Sequence, residues 1–395
     1  MNTGGFMSNE MFIQILMLIF IPCIFVAGAI PLIKNVAEHV GALDIPNARK
    51  VHQKPIPRMG GLGIYFGFLL GYMLFAEPNE IMNSILIGSF IIVLVGIMDD
   101  IKPLKASYKF IGQLLAACIV VFYGGILLKD ISAFGLYLNF GIVSYPITIF
   151  FILGCINCMN LIDGLDGLAG GISAIFFFTI GIIAVAKGQT GLAYLLAFIM
   201  LGSCLGFLLH NFHPASIFMG DSGSMFLGFI IAVITLLGYK NVMMSSIIIP
   251  LLILVIPISD TIFAIIRRKL KGESISTPDK MHIHHQLLKR NFGQLGTVLI
   301  IYLATSLFAI ASTIYVLVDN ELGYIIYGIL LLILMIFSLK TDVIFEHGEK
   351  DNKKIKKEET KKKDPVLVEV RETNKIKKEA PKTKKTNKKV TKKKN

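Results

Sequence analysis

Eleven long apolar runs follow one another through the first 340 residues, and acidic residues are largely confined to the breaks between them. A bilayer-crossing helix needs about 20 mostly apolar residues. The runs fall at roughly 11–33, 60–76, 81–98, 107–127, 143–159, 168–186, 191–209, 223–238, 243–266, 295–317 and 322–340. Only 16% of the 395 residues are charged and 54% are hydrophobic, whereas a soluble domain carries about 25% charged residues. The expected fold class is therefore all-α, a polytopic membrane protein with about eleven transmembrane helices. The eighth run is the shortest, and its entrance at Gly220 is a candidate for a start below the membrane surface. Residues 128–142 alternate loosely and predict a small hairpin on the outer side.

The net charge of +13 is mostly a property of the C-terminus, because 20 of the 39 Lys/Arg but only 10 of the 26 Asp/Glu follow Lys340. Residues 341–395 hold little that would form a core and read as a disordered, Lys-rich tail. Lysines near a membrane surface attract anionic lipid headgroups at roughly 1 kcal/mol each. A solvated tail without a specific partner is the competing reading. No aromatic interleaving accompanies these lysines, so nucleic acid is not an expected partner. Residues 1–10 contain no Lys or Arg, so the charged start of a secretory signal is missing.

Basic residues set the expected orientation. Lys34, Arg49, Lys50, Lys54, Arg58, Lys102, Lys105, Lys109, Arg267, Arg268 and Lys269 lie in one set of loops or at their borders, against Lys129, Lys187 and Lys240 in the other. The first set is expected to be cytoplasmic. An odd number of spans then leaves the N-terminus outside and the tail in the cytoplasm. Gly63, Gly67 and Gly71 form a small-residue stripe suited to close helix packing. The five cysteines lie in apolar runs, and Cys155-Ile-Asn-Cys158, lacking a second pair, reads as packing.

Four polar clusters fall on the expected cytoplasmic side. Asp99-Asp100 closes the third run, and adjacent carboxylates repel unless a cation or proton stands between them. Metal binding or general-base work would use them; a polar helix end paired with Lys102 and Lys105 would also explain them. Asn160-Leu-Ile-Asp163-Gly-Leu-Asp166-Gly places two acids three residues apart among glycines that permit close ligand approach. Gly220-Asp221-Ser222-Gly223-Ser224 opens an apolar helix. There, free backbone N–H groups would bind an anion, Asp221 would take a hard cation such as Mg²⁺, or Asp221 or Ser222 would cap the helix. His210-Asn-Phe-His213-Pro lies just upstream. His282-Ile-His284-His285 sits in the longest internal polar loop, without the companions of a zinc site. A fifth segment, Arg49 to Gly61, is rich in prolines and cations and suits a rigid anion-binding loop. Asp260, within the ninth run, reads as a near-surface or packing residue. The chain has neither a G-x-x-x-x-G-K-[ST] phosphate loop nor a G-x-S-x-G elbow.

In order, these strings resemble the polyprenyl-phosphate N-acetylhexosamine-1-phosphate transferases over residues 35–295. The strings are Arg49-Lys-Val-His52…Pro57-Arg58-Met-Gly-Gly, Met98-Asp99-Asp100, Asn160-Leu-Ile-Asp163-Gly-Leu-Asp166-Gly, Asn211…Phe218-Met-Gly-Asp221-Ser-Gly-Ser and Pro278-Asp-Lys-Met-His282-Ile-His284-His285. The resemblance implies a transmembrane phosphoglycosyl transferase domain over 1–340, in the plasma membrane with its active site in the cytoplasm. It implies attack by undecaprenyl phosphate on a UDP-N-acetylhexosamine, release of UMP, and Mg²⁺ (or Mn²⁺) as cofactor, with a homodimer as one assembly. By position, Asp221 is the expected metal ligand, with Asn160 as a second. Asp99 would deprotonate or orient the lipid phosphate, supported by Asp100. Asp166, Asn211 and Phe218 would form a uridine pocket, with Asp163 between it and the metal. His284 and His285 would contact the pyrophosphate. Arg49, His52, Arg58 and His282 complete the expected substrate contacts.

Two branches compete. The muramoyl-pentapeptide transferases carry three consecutive histidines. His-Ile-His-His here, with Pro278-Asp279-Lys280 ahead of it and Lys109 in Tyr108-Lys109-Phe110, is similar to the branch using UDP-N-acetylglucosamine, which initiates teichoic acids and related cell-wall polymers. An ion-coupled transporter is the alternative from another class and would place acids near mid-span on both sides; a non-catalytic polymer-binding scaffold is a third.

Overall fold

The structure, a computed structural model, describes residues 9–45, 54–133, 136–240, 247–273 and 281–341. Arg49, His52, Pro278-Asp279-Lys280 and the Lys-rich tail lie outside the described residues.

Helix α1 (Asn9–Val40) leads through a two-residue antiparallel pair, β1 (Leu43–Asp44) with β2 (Ile56–Pro57), into α2 (Gly61–Phe75) and α3 (Glu80–Ile101). Helix α4 (Ala106–Cys118) runs on as a π-helical turn over Ile119–Tyr123. The expected hairpin is present as β3 (Asp130–Ala133) and β4 (Leu136–Asn139). Then follow α5 (Ser144–Ile162), α6 (Leu168–Ala186), α7 (Leu192–Asn211), α8 (Gly220–Lys240), α9 (Ile248–Ile253), α10 (Val255–Leu270), α11 (Ile283–Lys289), α12 (Gly293–Leu317) and α13 (Asn320–Lys340).

Among the described residues, nine helices are long and apolar enough to cross a membrane. Among the described residues every expected run recurs as helix over most of its length, but two depart from a full-length span. Helix α2 has only 15 residues. The ninth run is broken at Leu254 into α9 and α10. Pro257 accounts for the break: it has no N–H to donate to the carbonyl of Ile253, four residues earlier and the last residue of α9.

Helix α8 is almost wholly buried and forms the axis of the bundle, flanked by α3 and α5. Phe226 of α8 meets the edges of Tyr65 and Phe68 of α2, with ring centroids 5.3 and 5.5 Å apart. The glycine stripe of α2 admits its neighbours closely: Gly63 packs on Ile30 of α1, Gly67 on Val26 and Ser203, and Gly71 on Ile199 of α7. By contrast α13 presents Leu331, Leu332, Ile333, Met335 and Ile336 outward. An apolar exterior around internally satisfied helices is the form a lipid environment demands.

Candidate active site

Successive helices alternate in direction, so the end of α3, the start of α4, the end of α5 and the start of α8 belong to one end of the bundle. Direct contacts join them. Phe218 N–H donates to the Pro57 carbonyl (2.8 Å), while Gly60 and Gly61 N–H donate to the carbonyls of Phe218 and Met219 (2.9 Å each). This short ladder sews the segment before α2 to the segment before α8. Close approach follows where side chains are missing: the Gly61 and Gly223 backbones touch, and Gly96 of α3 lies on the backbone of Ser222. Gly220 turns into α8 with φ of 73°, a left-handed conformation that suits glycine.

The first turn of α8 is capped from another helix. One oxygen of the buried Asp100 carboxylate accepts from Asp221 N–H (2.8 Å); the other accepts from Ser222 N–H (3.2 Å) and the Ser222 hydroxyl (2.7 Å). The carboxylate thus satisfies free N–H groups and opposes the positive end of the helix dipole. Neither Asp221 nor Ser222 supplies the cap, and the helix starts at Gly220, ahead of the apolar run at 223.

Two cations and three carboxylates form the centre. Lys109 Nζ lies 2.7 Å from Asp221 Oδ2 and 3.5 Å from Asp99 Oδ2. Arg58 reaches Asp100 at 3.6 Å, Asp221 at 3.7 Å and Asp44 at 3.9 Å. Burial works against the Arg58 charge, but Asp100, Asp221, Asp44 and Asp163 outweigh it and raise its pKa above the ordinary value. Asp99 also accepts from Leu104 N–H (2.8 Å), which fixes the turn between α3 and α4. Asn160 donates to Ser224 Oγ (2.8 Å), tying the end of α5 to α8.

Beside this centre opens a cleft of about 440 Å³, lined in part by Arg58, Asp163, Asp166, Asn211, Phe218 and His285. Asp163 closes α5, and its pKa is pushed up to about 7, first by burial and then by Asp221, with Arg58 opposing. Asp166 is held by His213 Nδ1 (2.8 Å) and Ala215 N–H (3.1 Å). Asn211 accepts from Gly167 N–H (3.0 Å) and donates to the Ile217 carbonyl (2.9 Å), clamping two cleft walls together. Tyr302 of α12 donates to the Gly167 carbonyl (2.6 Å).

The histidine string is not a loop: His282 precedes α11, and His284 and His285 lie within it. His285 faces the cleft; His282 and His284 are buried behind it. The pKa of His284 is lowered to about 3, first by burial and then by His285, so the ring is neutral at pH 7.

The donor set bears on the expected metal. Among the described residues no three His, Cys, Asp or Glu side chains form a ready cage. Mg²⁺ does not require one, since it is commonly held by one or two carboxylates with waters and phosphate oxygens. Asp221 and Asp99 offer hard oxygens on either side of Lys109, where positive charge already sits. The chemistry of these residues fits Mg²⁺.

Lys109, His213, Ser224 and Tyr302 all enter the site although the sequence assigns none of them a role there, and Ser222, expected at most as a cap, instead donates to Asp100. Lys109 is a single basic residue at the head of an apolar run, a weak signal. Tyr302 lies inside a span with no polar neighbour to mark it.

Comparison with known proteins gives the family. Residues 82–239, from α3 through nearly all of α8, match glycosyl transferase family 4. The chain is 41% identical over 344 residues to a Bacillus subtilis protein described as a probable undecaprenyl-phosphate N-acetylglucosaminyl 1-phosphate transferase, covering 86% of this chain and 96% of that one. It is 32% identical over 339 residues to a decaprenyl-phosphate N-acetylglucosaminephosphotransferase of Mycolicibacterium smegmatis, covering 78% and 83%. It is 31% identical over 285 residues to the undecaprenyl-phosphate alpha-N-acetylglucosaminyl 1-phosphate transferase of Escherichia coli K12, covering 70% and 77%. Fold and relatives together define a multi-pass membrane transferase. The chain belongs to glycosyl transferase family 4.

Proposed function

We propose that this protein transfers N-acetylglucosamine 1-phosphate from UDP-N-acetylglucosamine to undecaprenyl phosphate, releasing UMP and starting a lipid-linked surface glycopolymer of the teichoic acid type. The observation that carries the reading is the junction of Asp99, Asp100 and Asp221 with Arg58 and Lys109 at joined helix ends beside the cleft. The names of the relatives supply the donor sugar and the acceptor lipid.

In this reading an oxygen of the lipid phosphate forms a bond to the β-phosphorus of the donor. The bond from that phosphorus to the bridging oxygen breaks, and the electron pair leaves with UMP. Two phosphate charges about 5 Å apart repel by roughly 3 kcal/mol at an effective dielectric constant near 20. Arg58 and Lys109 offset that repulsion, and Asp100 keeps the first turn of α8 in place beneath them. Asp166, Asn211 and Phe218 would shape the wall offered to the uridine, and His285, which lines the same cleft, would meet the phosphates. Asp99 lies next to Lys109, where it would orient the attacking phosphate. Mg²⁺, held by Asp221 and Asp99 with Asn160 nearby, would supply positive charge to the phosphate oxygens. The bias of basic residues supports a cytoplasmic position for this end of the bundle, where a soluble nucleotide sugar would meet a bilayer lipid, and the Lys-rich tail would lie on the anionic inner leaflet.

The test is UMP release by purified protein given undecaprenyl phosphate and either UDP-N-acetylglucosamine or the UDP-muramoyl-pentapeptide. Turnover with the first donor alone is expected. Turnover with the second alone would replace this reading by the muramoyl branch, and turnover with neither would overturn it.

A further inference from the structure

Asp260, which the sequence reads as a near-surface or packing residue, has the surroundings of a tether. It lies in α10 with only 1% of its surface exposed. One carboxylate oxygen accepts from His282 Nδ1–H and the other from Ile283 N–H, each at 2.8 Å. These are the two residues at which α11 begins. His282 makes no side-chain cap bond to α11 itself, so the cap comes from Asp260. Helix α11 spans seven residues, too few to persist by its own hydrogen bonds.

The contact chain continues toward the cleft. The His282 ring stacks on His284 with a centroid distance of 5.6 Å and planes 3° apart. His284 packs against His285 at 4.3 Å. His284 Nε2 faces Gly164, where a Cβ would stand 2.7 Å from it, and both Gly164 and His285 line the cleft. His284 Nδ1 is buried with no hydrogen-bond partner among the described residues. Among the described residues no hydrogen bond at that atom fixes the ring, so its orientation rests on its packing against His282, His285 and Gly164.

We infer that Asp260 is a positioning residue for the donor site: by holding His282 and the first turn of α11, it sets the stacked rings that place His285 at the cleft and seat His284 against Gly164. The inference rests on the proposed transferase reading for its kinetic consequence, but not for its structural one. In the Michaelis complex His285 would meet the donor, while Asp260 and His282 would touch no substrate.

The test uses the full-length protein in nanodiscs, with Asp260→Asn, His282→Asn and the double variant. For Asp260→Asn, kcat/KM for UDP-N-acetylglucosamine is expected to fall about 10- to 100-fold, the range seen when outer-shell partners are removed from other sites. KM for undecaprenyl phosphate should stay within about twofold. Because both residues act through one stack, the double variant should lose no more than the worse single variant. Carbethoxylation by diethyl pyrocarbonate, read by mass spectrometry at His284 and His285, should be several-fold faster in either single variant than in the natural chain. An unchanged kcat/KM for Asp260→Asn, or fully additive losses, would overturn the inference. Should Asp260→Asn fail to fold, an unchanged His284 labelling rate in His282→Asn would do so. If the natural chain releases no UMP, the transferase reading fails, and the labelling rates still decide the role of Asp260.

Discussion

Replacing Asp100 by Asn probes the cap that one helix provides for another. The carboxylate accepts from Asp221 N–H at one oxygen and twice from Ser222 at the other. An amide keeps one acceptor oxygen. If that oxygen retains the two Ser222 bonds, Asp221 N–H faces an NH₂ group and is orphaned, at about 1–3 kcal/mol. Loss of the negative charge at the helix start adds about 0.3–1 kcal/mol, and the Ser222 bonds weaken as they lose their charge assistance. The total is about 3 kcal/mol, which displaces the first turn of α8 and Asp221 with it. At about 1.4 kcal/mol per tenfold in rate, UMP release should fall about 100-fold. Ser222→Ala, which loses one bond of the three, should cost about tenfold. Asp100→Glu should not restore activity, because the Asp100 carboxylate already lies against Gly220 and an added methylene would drive it into the first turn of α8. The measurement is UMP release by purified protein with saturating UDP-N-acetylglucosamine, alongside melting temperature to establish that the bundle persists. An Asp100→Asn enzyme within threefold of natural activity would refute the argument.

Other expectations can be checked with the same preparation. Asp163, held up to about 7 against an ordinary 3.8, keeps a proton in the folded chain that the unfolded chain releases, so its contribution to stability is lost as pH rises from about 4 to about 7. The melting temperature of the natural chain minus that of Asp163→Asn should therefore fall between pH 5 and pH 8; a constant difference would contradict the assignment. His284 runs the other way: lowered to about 3 from 6.5, it makes the fold lose stability as pH falls from about 6.5, and His284→Asn should flatten that acid limb. Chelation of divalent cations should abolish UMP release and added Mg²⁺ restore it, with undiminished turnover in excess chelator as the contrary result. Lys109→Met leaves Asp99 and Asp221 without their shared cation, and turnover should drop at least about tenfold. Gly61→Ala would drive a methyl into the Gly223 backbone, and poor recovery of folded protein is expected, tested by size-exclusion profile.

Much of this architecture could be read before any coordinates because lipid-facing helices announce themselves by length and apolarity, and because charge is too costly at membrane depth to be scattered. Hydropathy therefore located the run breaks, and the breaks held the acids. What stayed hidden depends on partners distant in the chain. The entrance of α8 at Gly220 was legible, but its cap was not, because it is Asp100, 121 residues away from Asp221. The split of the ninth run depends on Pro257, which apolarity averages over. The helical state of 283–289 escaped notice because its stabilising contact comes from Asp260, and Asp260 read as packing. The place of Asn211 at the cleft was legible, but its two backbone partners, which join Gly167 to Ile217, were not.

The three backbone bonds between 57–61 and 218–219 have a bearing on biogenesis. They unite stretches separated by about 160 residues, so a nascent chain that has inserted its first seven helices carries every cation of the centre but no Asp221 to receive them. The centre is complete only once α8 has brought Asp221 to the ends of α3 and α4. Separately synthesised halves cut within 187–191, at the far end of the bundle, should regain activity on co-insertion, whereas cuts within 212–217 fall in the cleft wall that Asn211 ties to Ile217 and Asp166 ties to Ala215, and should not.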